Sequence, residues 1–289
     1  MKNELGKYIK MENKFLSRWL QLEANEKQPR YMNNLIEIEF DELRAKVLAQ
    51  ETDFVNYLVD SLWSGDIYLV KRAFTRDWVA SLKDKVIDYF DSEPESFHSI
   101  LENCPDFHRK IDPDIAKKYS VDAVRHTAYF FPWNNDRSKI FHEIWERWGV
   151  YKQLGGFDFD QYVKNTPIDG VIDRIQVCLY GSGSGGLSTH SDPYLNQRVI
   201  ISGYLSERGD EFHDGGFYAV DQKGSHFDLE NKIEIGDMGF GYATVLHGVK
   251  QVESNIKSHI KYHQGRWFLG LYSIDSNEKK NRHTSALVK

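Results

Sequence analysis

His190 and Asp192 stand two residues apart in the run G-G-L-S-T-H-S-D at 185–192. In an extended segment, side chains at i and i+2 leave the backbone on the same face, so this imidazole and this carboxylate can address one point in space. A second imidazole, His247, arrives later in L-H-G-V-K-Q-V at 246–252. Two histidines and one carboxylate on one face, with the other coordination positions open, form a ligand set for non-haem Fe(II). The H-x-D triplet alone is a weak signal, because eleven histidines and forty-three acidic residues produce such triplets by chance. Its context strengthens it: it follows a strand-like run and a glycine-rich turn, and His247 sits in a glycine-flanked strand end. The glycine run G-S-G-S-G-G at 181–186 is not read as a phosphate loop, since it opens onto L-S-T-H-S-D and not onto a helix N-terminus. Those glycines let the backbone turn sharply.

The elements that must position these residues change character along the chain. Apolar residues recur at helical spacing over 4–23, 40–63 and 138–149. Thr75 is placed to cap a helix over 76–90, whose Val79, Leu82, Val86, Ile87 and Phe90 form one stripe. Between these, I-Y-L-V at 67–70 and the aromatic run at 125–133, ended by Pro132, read as strands; 91–120, with three prolines, reads mostly as loop. From 171 onward the chain is a series of short strand-like runs separated by Gly, Asp and Asn turns: 171–180, 198–205, 216–220, 232–235, 239–243 and 266–274. This pattern predicts an α+β chain. A helical region over 1–170, part of the same globule, precedes a sandwich or jelly-roll core over 171–275. A polar tail over 276–289 is expected to fray.

Composition excludes several classes. With 40% hydrophobic residues, few prolines and 28% charged residues, the 289-residue chain can bury a sizeable core and is not a disordered or linker-rich protein. A formal charge of -6 argues against a nucleic-acid or anionic-membrane surface. Two cysteines, Cys104 and Cys178, make no disulfide framework. Without a signal-peptide pattern or a membrane-length apolar run, a soluble, reducing, cytoplasmic setting is expected.

The segment 175–275 resembles the Fe(II)/2-oxoglutarate-dependent dioxygenase superfamily, in its prolyl-hydroxylase-like branch. The resemblance runs through Y-x-x-G from Tyr180, H-S-D at 190–192, Y-L at 204–205, G-G-F-Y at 215–218, I-E-I-G-D at 233–237, H-G-V-K-Q-V at 247–252 and G-R-W at 265–267. Each fragment is loose, while their order and spacing together are specific. The resemblance implies a double-stranded β-helix with the metal at its open end, and a helical lead-in that helps to roof the site. His190, Asp192 and His247 would hold Fe(II), and Arg266 would take the distal carboxylate of 2-oxoglutarate as a forked ion pair. Tyr180 and Tyr204 match positions whose hydroxyls assist there; ordinary strand packing is the alternative for both. Arg266 follows His247 at a greater distance than the family usually shows, which points to an insertion in the preceding loop, with Lys257 as the other candidate anchor. His259 and His263, in that loop, are read as a solvated face.

The implied activity is hydroxylation of an unactivated C–H bond with O2, 2-oxoglutarate leaving as succinate and CO2. Desaturation or cyclisation stays open. Halogenation is not expected, because the related halogenases lack the carboxylate that Asp192 supplies. A small-molecule metabolite is the first substrate class and a protein side chain the second; a non-enzymatic β-barrel binding module is a third reading. Arg109, Asn134, Asn135 and Arg198 are candidate polar contacts to the substrate.

Overall fold

The computed structural model describes residues 13–118, 121–134, 140–253, 255 and 263–287. Helix α1 (Lys14–Asn25) starts where the Asn13 side chain accepts from the Phe15 N–H, and it buries Phe15, Trp19 and Leu22 at helical spacing. Strand β1 (Leu35–Glu39) follows, then α2 (Phe40–Ala49) and α3 (Thr52–Trp63). The single periodic stretch at 40–63 is therefore two helices. Gln50 breaks it by adopting the left-handed conformation at φ 48°, and its side chain accepts from the Lys14 N–H at 2.9 Å. Strand β2 (Ile67–Lys71) pairs parallel with β1. Helix α4 (Arg76–Ser92) is capped by Thr75, whose hydroxyl accepts from the Trp78 N–H, and it buries Val79, Leu82, Val86 and Phe90. It ends just before Pro94, which disfavours helical backbone in the residue preceding it.

The segment 91–120 is less irregular than its prolines suggest. It holds β3 (Phe107–Ile111) and α5 (Pro113–Ala116), and β3 pairs antiparallel with β4 (Ala123–Phe130). Helix α6 (Phe141–Leu154) completes the first half. The second half contributes β5 (Val171–Gly181), β6 (Gly186–Ser191), β7 (Val199–Tyr204), β8 (Gly216–Val220), β9 (His226–Asp228), β10 (Met238–Tyr242), β11 (His247–Lys250) and β12 (Gly265–Asp275). The run 232–235 is not a strand. The Asp237 carboxylate accepts from the Glu234 N–H at 3.0 Å, and Gly236 takes φ +92°, so this segment is a turn.

The strands form two sheets. The larger runs β1-β2-β10-β7-β12-β5-β4, with β3 on β4; the smaller runs β9-β8-β11-β6. Strand β4 joins them, because its Ala123 and Val124 pair with β6 while the rest pairs with β5. This is the jelly-roll core of an α+β protein. Alternation sorts the strands of the larger sheet into two faces. Ile175, Val177 and Leu179 of β5, with Trp267, Leu269 and Leu271 of β12, share one apolar cluster with Val79, Val86 and Trp148 of the helices. Cys178, Tyr180 and Phe268 fall in a separate cluster on the other face, with Phe212, Val249 and Val252. The helices thus cover the outside of the sheet and leave its inner face to the site. The tail does not fray throughout: β13 (Ala286–Leu287) pairs with β6, Ala286 opposite Ser191 and Leu287 opposite His190.

Candidate active site

Strand pairing brings the two histidines together. His190 on β6 and His247 on β11 are register partners in an antiparallel pair, and their ring centroids lie 4.3 Å apart. Asp192 follows on the same face as His190. One ligand atom from each of the three lies within 4.8 Å of the others. Each imidazole is oriented by the backbone. The Nδ1–H of His190 donates to the Ser188 carbonyl and that of His247 to the Val245 carbonyl, both at 2.9 Å, which leaves both Nε2 atoms free as ligands. Those Nε2 atoms each lie 3.6 Å from a different oxygen of Asp192. Burial and the neighbouring His247 hold the His190 imidazole down at about 4, so it is neutral near pH 7. Burial opposes ionisation of Asp192, but His190, His247 and the Ser285 hydroxyl hold its carboxyl below the usual range. This hydroxyl donates to Asp192 Oδ1 at 2.6 Å, and the β13–β6 pairing delivers it there. Nothing in the polar composition of the tail signals this contact.

Arg266 projects from β12 toward the same interior and is 1% exposed. Its Nε–H donates to Glu230 Oε2 at 2.8 Å, while Nη1 and Nη2 are buried with no partner among the described residues. Glu230 is 2% exposed and also accepts from the Phe217 N–H. Room for it comes from Gly216 at φ +114°, where a Cβ would lie 2.6 Å from the Glu230 side chain. So Glu230, which the motif fragments do not mark, fixes one edge of the guanidinium and leaves the other open. Tyr180 lines the inner cavity beside Arg266 and the triad; the Tyr204 ring lies 5.8 Å from the Arg266 guanidinium, with its hydroxyl packing beneath Gly239. Lys257, Asn135 and His259 lie outside the described residues.

The triad lies where two cavities meet. His190, Asp192, Leu187 and Tyr272 line both an inner cavity, shared with Arg266 and His247, and an outer one of about 270 Å³. The outer wall comes from β3, β4, β5 and β12 and from residues 282–285. Among the described residues, first-half strands reach the site and first-half helices do not line it. The residues expected as polar contacts to the substrate find other partners. Arg109 stacks over Phe97, Asn134 donates to the Cys104 carbonyl and to Asp106, and Arg198 binds Glu23 of α1. Arg125, Arg174 and Gln176 line the outer cavity. His263 is no solvated residue, since it stacks on Phe90 and reaches Asp91 at 3.3 Å.

Fold and side chains together define a jelly-roll protein with a two-histidine, one-carboxylate facial cluster. No protein-family model matches the chain, and no curated protein matches it. Solved structures similar to it include a prolyl-4-hydroxylase of Pseudomonas putida, at 13% identity over 80% of this chain and 97% of that one, with a TM-score of 0.46. Another is a full-length Neurospora crassa protein in complex with alpha-KG and thymine, at 11% identity over 86% of each chain and a TM-score of 0.49. A third is SnoN, a non-heme alpha ketoglutarate dependent epimerase from nogalamycin biosynthesis, at 10% identity over 82% of each chain and a TM-score of 0.44.

Proposed function

We propose that this protein is an Fe(II)- and 2-oxoglutarate-dependent oxygenase that hydroxylates a C–H bond of a small molecule. The observation that carries the reading is the pairing of the triad with the unpartnered Nη1 and Nη2 of Arg266 across one inner cavity. Buried guanidinium nitrogens without a partner are costly, and a carboxylate is the group that satisfies two of them at once. The donor set fits Fe(II): two imidazole Nε2 atoms, each left free by a hydrogen bond at Nδ1, and one carboxylate, with room beside them on the cavity side.

Fe(II) held by His190, Asp192 and His247 would couple O2 activation to the conversion of 2-oxoglutarate into succinate and CO2. The chain's own residues set the stage. Arg266 binds the distal carboxylate of 2-oxoglutarate, and Glu230 keeps its fork turned toward the cavity. Backbone carbonyls fix both imidazole rings, and Ser285 fixes the carboxylate plane of Asp192. Tyr180, whose hydroxyl burial keeps protonated, is a hydrogen-bond donor in the same cavity. The apolar wall of Leu187, Ile200, Phe217 and Val249 keeps bulk water from the inner end. The outer cavity then holds the second substrate. At about 270 Å³, walled by strands and by residues 282–285, it suits a small molecule better than a polypeptide segment.

The test is succinate release from 2-oxoglutarate by the full chain with Fe(II) and O2, followed by a substrate screen under labelled O2. Product carrying one labelled oxygen, with no chlorination in excess chloride, is expected. Failure to bind 2-oxoglutarate or release succinate would return the protein to the class of binding modules. A product two hydrogens lighter and unlabelled would reassign the reaction to desaturation.

A further inference from the structure

The outer cavity holds positive charge that the protein leaves unpaired. Among its lining residues are three arginines, Arg125, Arg174 and Arg282, against a single carboxylate, the triad's Asp192. Arg174 forms no hydrogen bond or ion pair with any described residue. Its guanidinium lies between the rings of Tyr129 and Tyr272, 5.3 Å from each centroid, and its Nε is buried without a partner. Arg125 makes one long hydrogen bond, to the Tyr180 hydroxyl at 3.4 Å, and its Nε is likewise buried and unpartnered. Between them on the sheet, Gln176 is 1% exposed; its amide nitrogen donates to Cys178 Sγ and its oxygen has no partner.

These groups share one face for a reason of register. Arg174 and Gln176 alternate with the apolar residues of β5, Tyr129 is opposite Gln176, and Tyr272 is opposite Arg174. A strand that gives its outward side chains to the core thus spends two of its inward positions on polar groups whose Arg174 Nε and Gln176 Oε1 are buried with no partner among the described residues. Elsewhere the buried cations are paired: Lys152 meets Asp173, and Arg266 meets Glu230. Stacking between two tyrosine rings holds a guanidinium plane in place without neutralising it. An arrangement that fixes charge while leaving it unsatisfied is suited to a ligand.

We propose that the outer cavity recognises the anionic group, a carboxylate or a phosphate, of a small organic acid between Arg125 and Arg174, with Gln176 accepting a hydrogen bond from the same molecule. This names the substrate class for the oxygenase reading and rests on it for the word substrate. The inner anion site, at Arg266, is separate: the triad lies between the two.

The experiment is calorimetric titration of the iron-free full-length chain with benzoate and phenyl phosphate, and with their neutral counterparts benzamide and benzyl alcohol. The wild type should bind at least one anion about tenfold or more tightly than its neutral counterpart, and Arg174→Gln and Arg125→Gln should each weaken that anion by about tenfold or more. Arg266→Gln should leave it unchanged. If neither anion binds, if neutral and anionic ligands bind the wild type alike, or if both outer arginine variants bind like the wild type, the proposal is overturned. Selective anion binding that disappears in Arg266→Gln would belong to the inner site and overturn the proposal, and its retention in that variant decides the matter even where an outer variant fails to fold. Titration of 2-oxoglutarate in the presence of Mn(II) separates the two readings. Loss of that binding with anion selection retained would remove the oxygenase assignment and leave the anion site standing.

Discussion

The carboxylate of Asp192 has three neighbours, two imidazoles and the Ser285 hydroxyl, and each predicts a different loss. Replacing His247 with Ala removes a ligand, so most metal binding and turnover should disappear; a normal metal content in that variant would sink the assignment. Replacing Ser285 with Ala removes only the group that orients Asp192. Metal affinity should fall by about tenfold, as outer partners of ligands generally cost when removed, and the Mn(II) dissociation constant measures it. At the opposite end of the inner cavity, Arg266→Ala deletes a buried, charge-assisted partner worth roughly 2–5 kcal/mol. The KM for 2-oxoglutarate should rise steeply while Mn(II) affinity stays near wild type. Glu230→Gln keeps the guanidinium but loosens its Nε edge, so a smaller rise in KM is expected. Equal KM values in wild type and Arg266→Ala would show that the anchor lies elsewhere, with Lys257 the next candidate.

Elements meet through polar contacts as well as apolar ones. Lys152 of α6 and Asp173 of β5 form a buried ion pair, and the Ser273 hydroxyl of β12 donates to the same carboxylate at 2.7 Å. This triangle ties a helix on the outer face to two adjacent strands whose inner faces build the site. Burial lowers the affinity of the lysine for its proton and raises that of the aspartate, so the pair is stable only together. Lys152→Met should cost about 3–5 kcal/mol, because it strands a buried carboxylate. Adding Asp173→Leu should recover most of that loss. Urea unfolding of the two single variants and the double gives the coupling; strictly additive losses would mean that the pair does not act as a unit.

At the scale of the whole molecule, acid should destabilise the fold through a histidine outside the triad. His126 on β4 stacks on Phe90 of α4 at 3.5 Å and lies 3.0 Å from His108 Nδ1. Burial first, then His108, pushes its imidazole down to about 3. The unfolded chain takes up this proton near pH 6.5 and the folded chain does not, so stability from neutral His126 is complete above pH 6.5 and is lost as pH falls toward 3. The slope is at most about 1.4 kcal/mol per pH unit. His126→Gln should flatten the urea-unfolding free energy between pH 6.5 and 5 relative to wild type; identical slopes would overturn the attribution. No helix among the described residues is long and apolar enough to cross a membrane. The arginine-lined outer cavity carries the opposite sign to the chain's net charge of -6, a local field that favours small anions over the surrounding surface.

Sequence alone determined the features set by local chemistry. The Thr75 cap, the stripe of α4, the short strands after 171 and the i, i+2 spacing of His190 and Asp192 each depend on a few neighbouring residues, and each is legible as such. The break at Gln50 and the turn at 232–235 escaped periodicity, because single backbone and side-chain hydrogen bonds decide them. What only the tertiary structure decided is contact between residues far apart in the chain: His190 opposite His247, Glu230 on Arg266, Ser285 on Asp192, and Arg174 between Tyr129 and Tyr272. Strand β5 shows why. It is covered on both faces, so V-C-L-Y reads as one apolar run with no visible alternation. Which of its residues face helices and which face the site is fixed by pairing with β4 and β12, and pairing register is a property of three strands together.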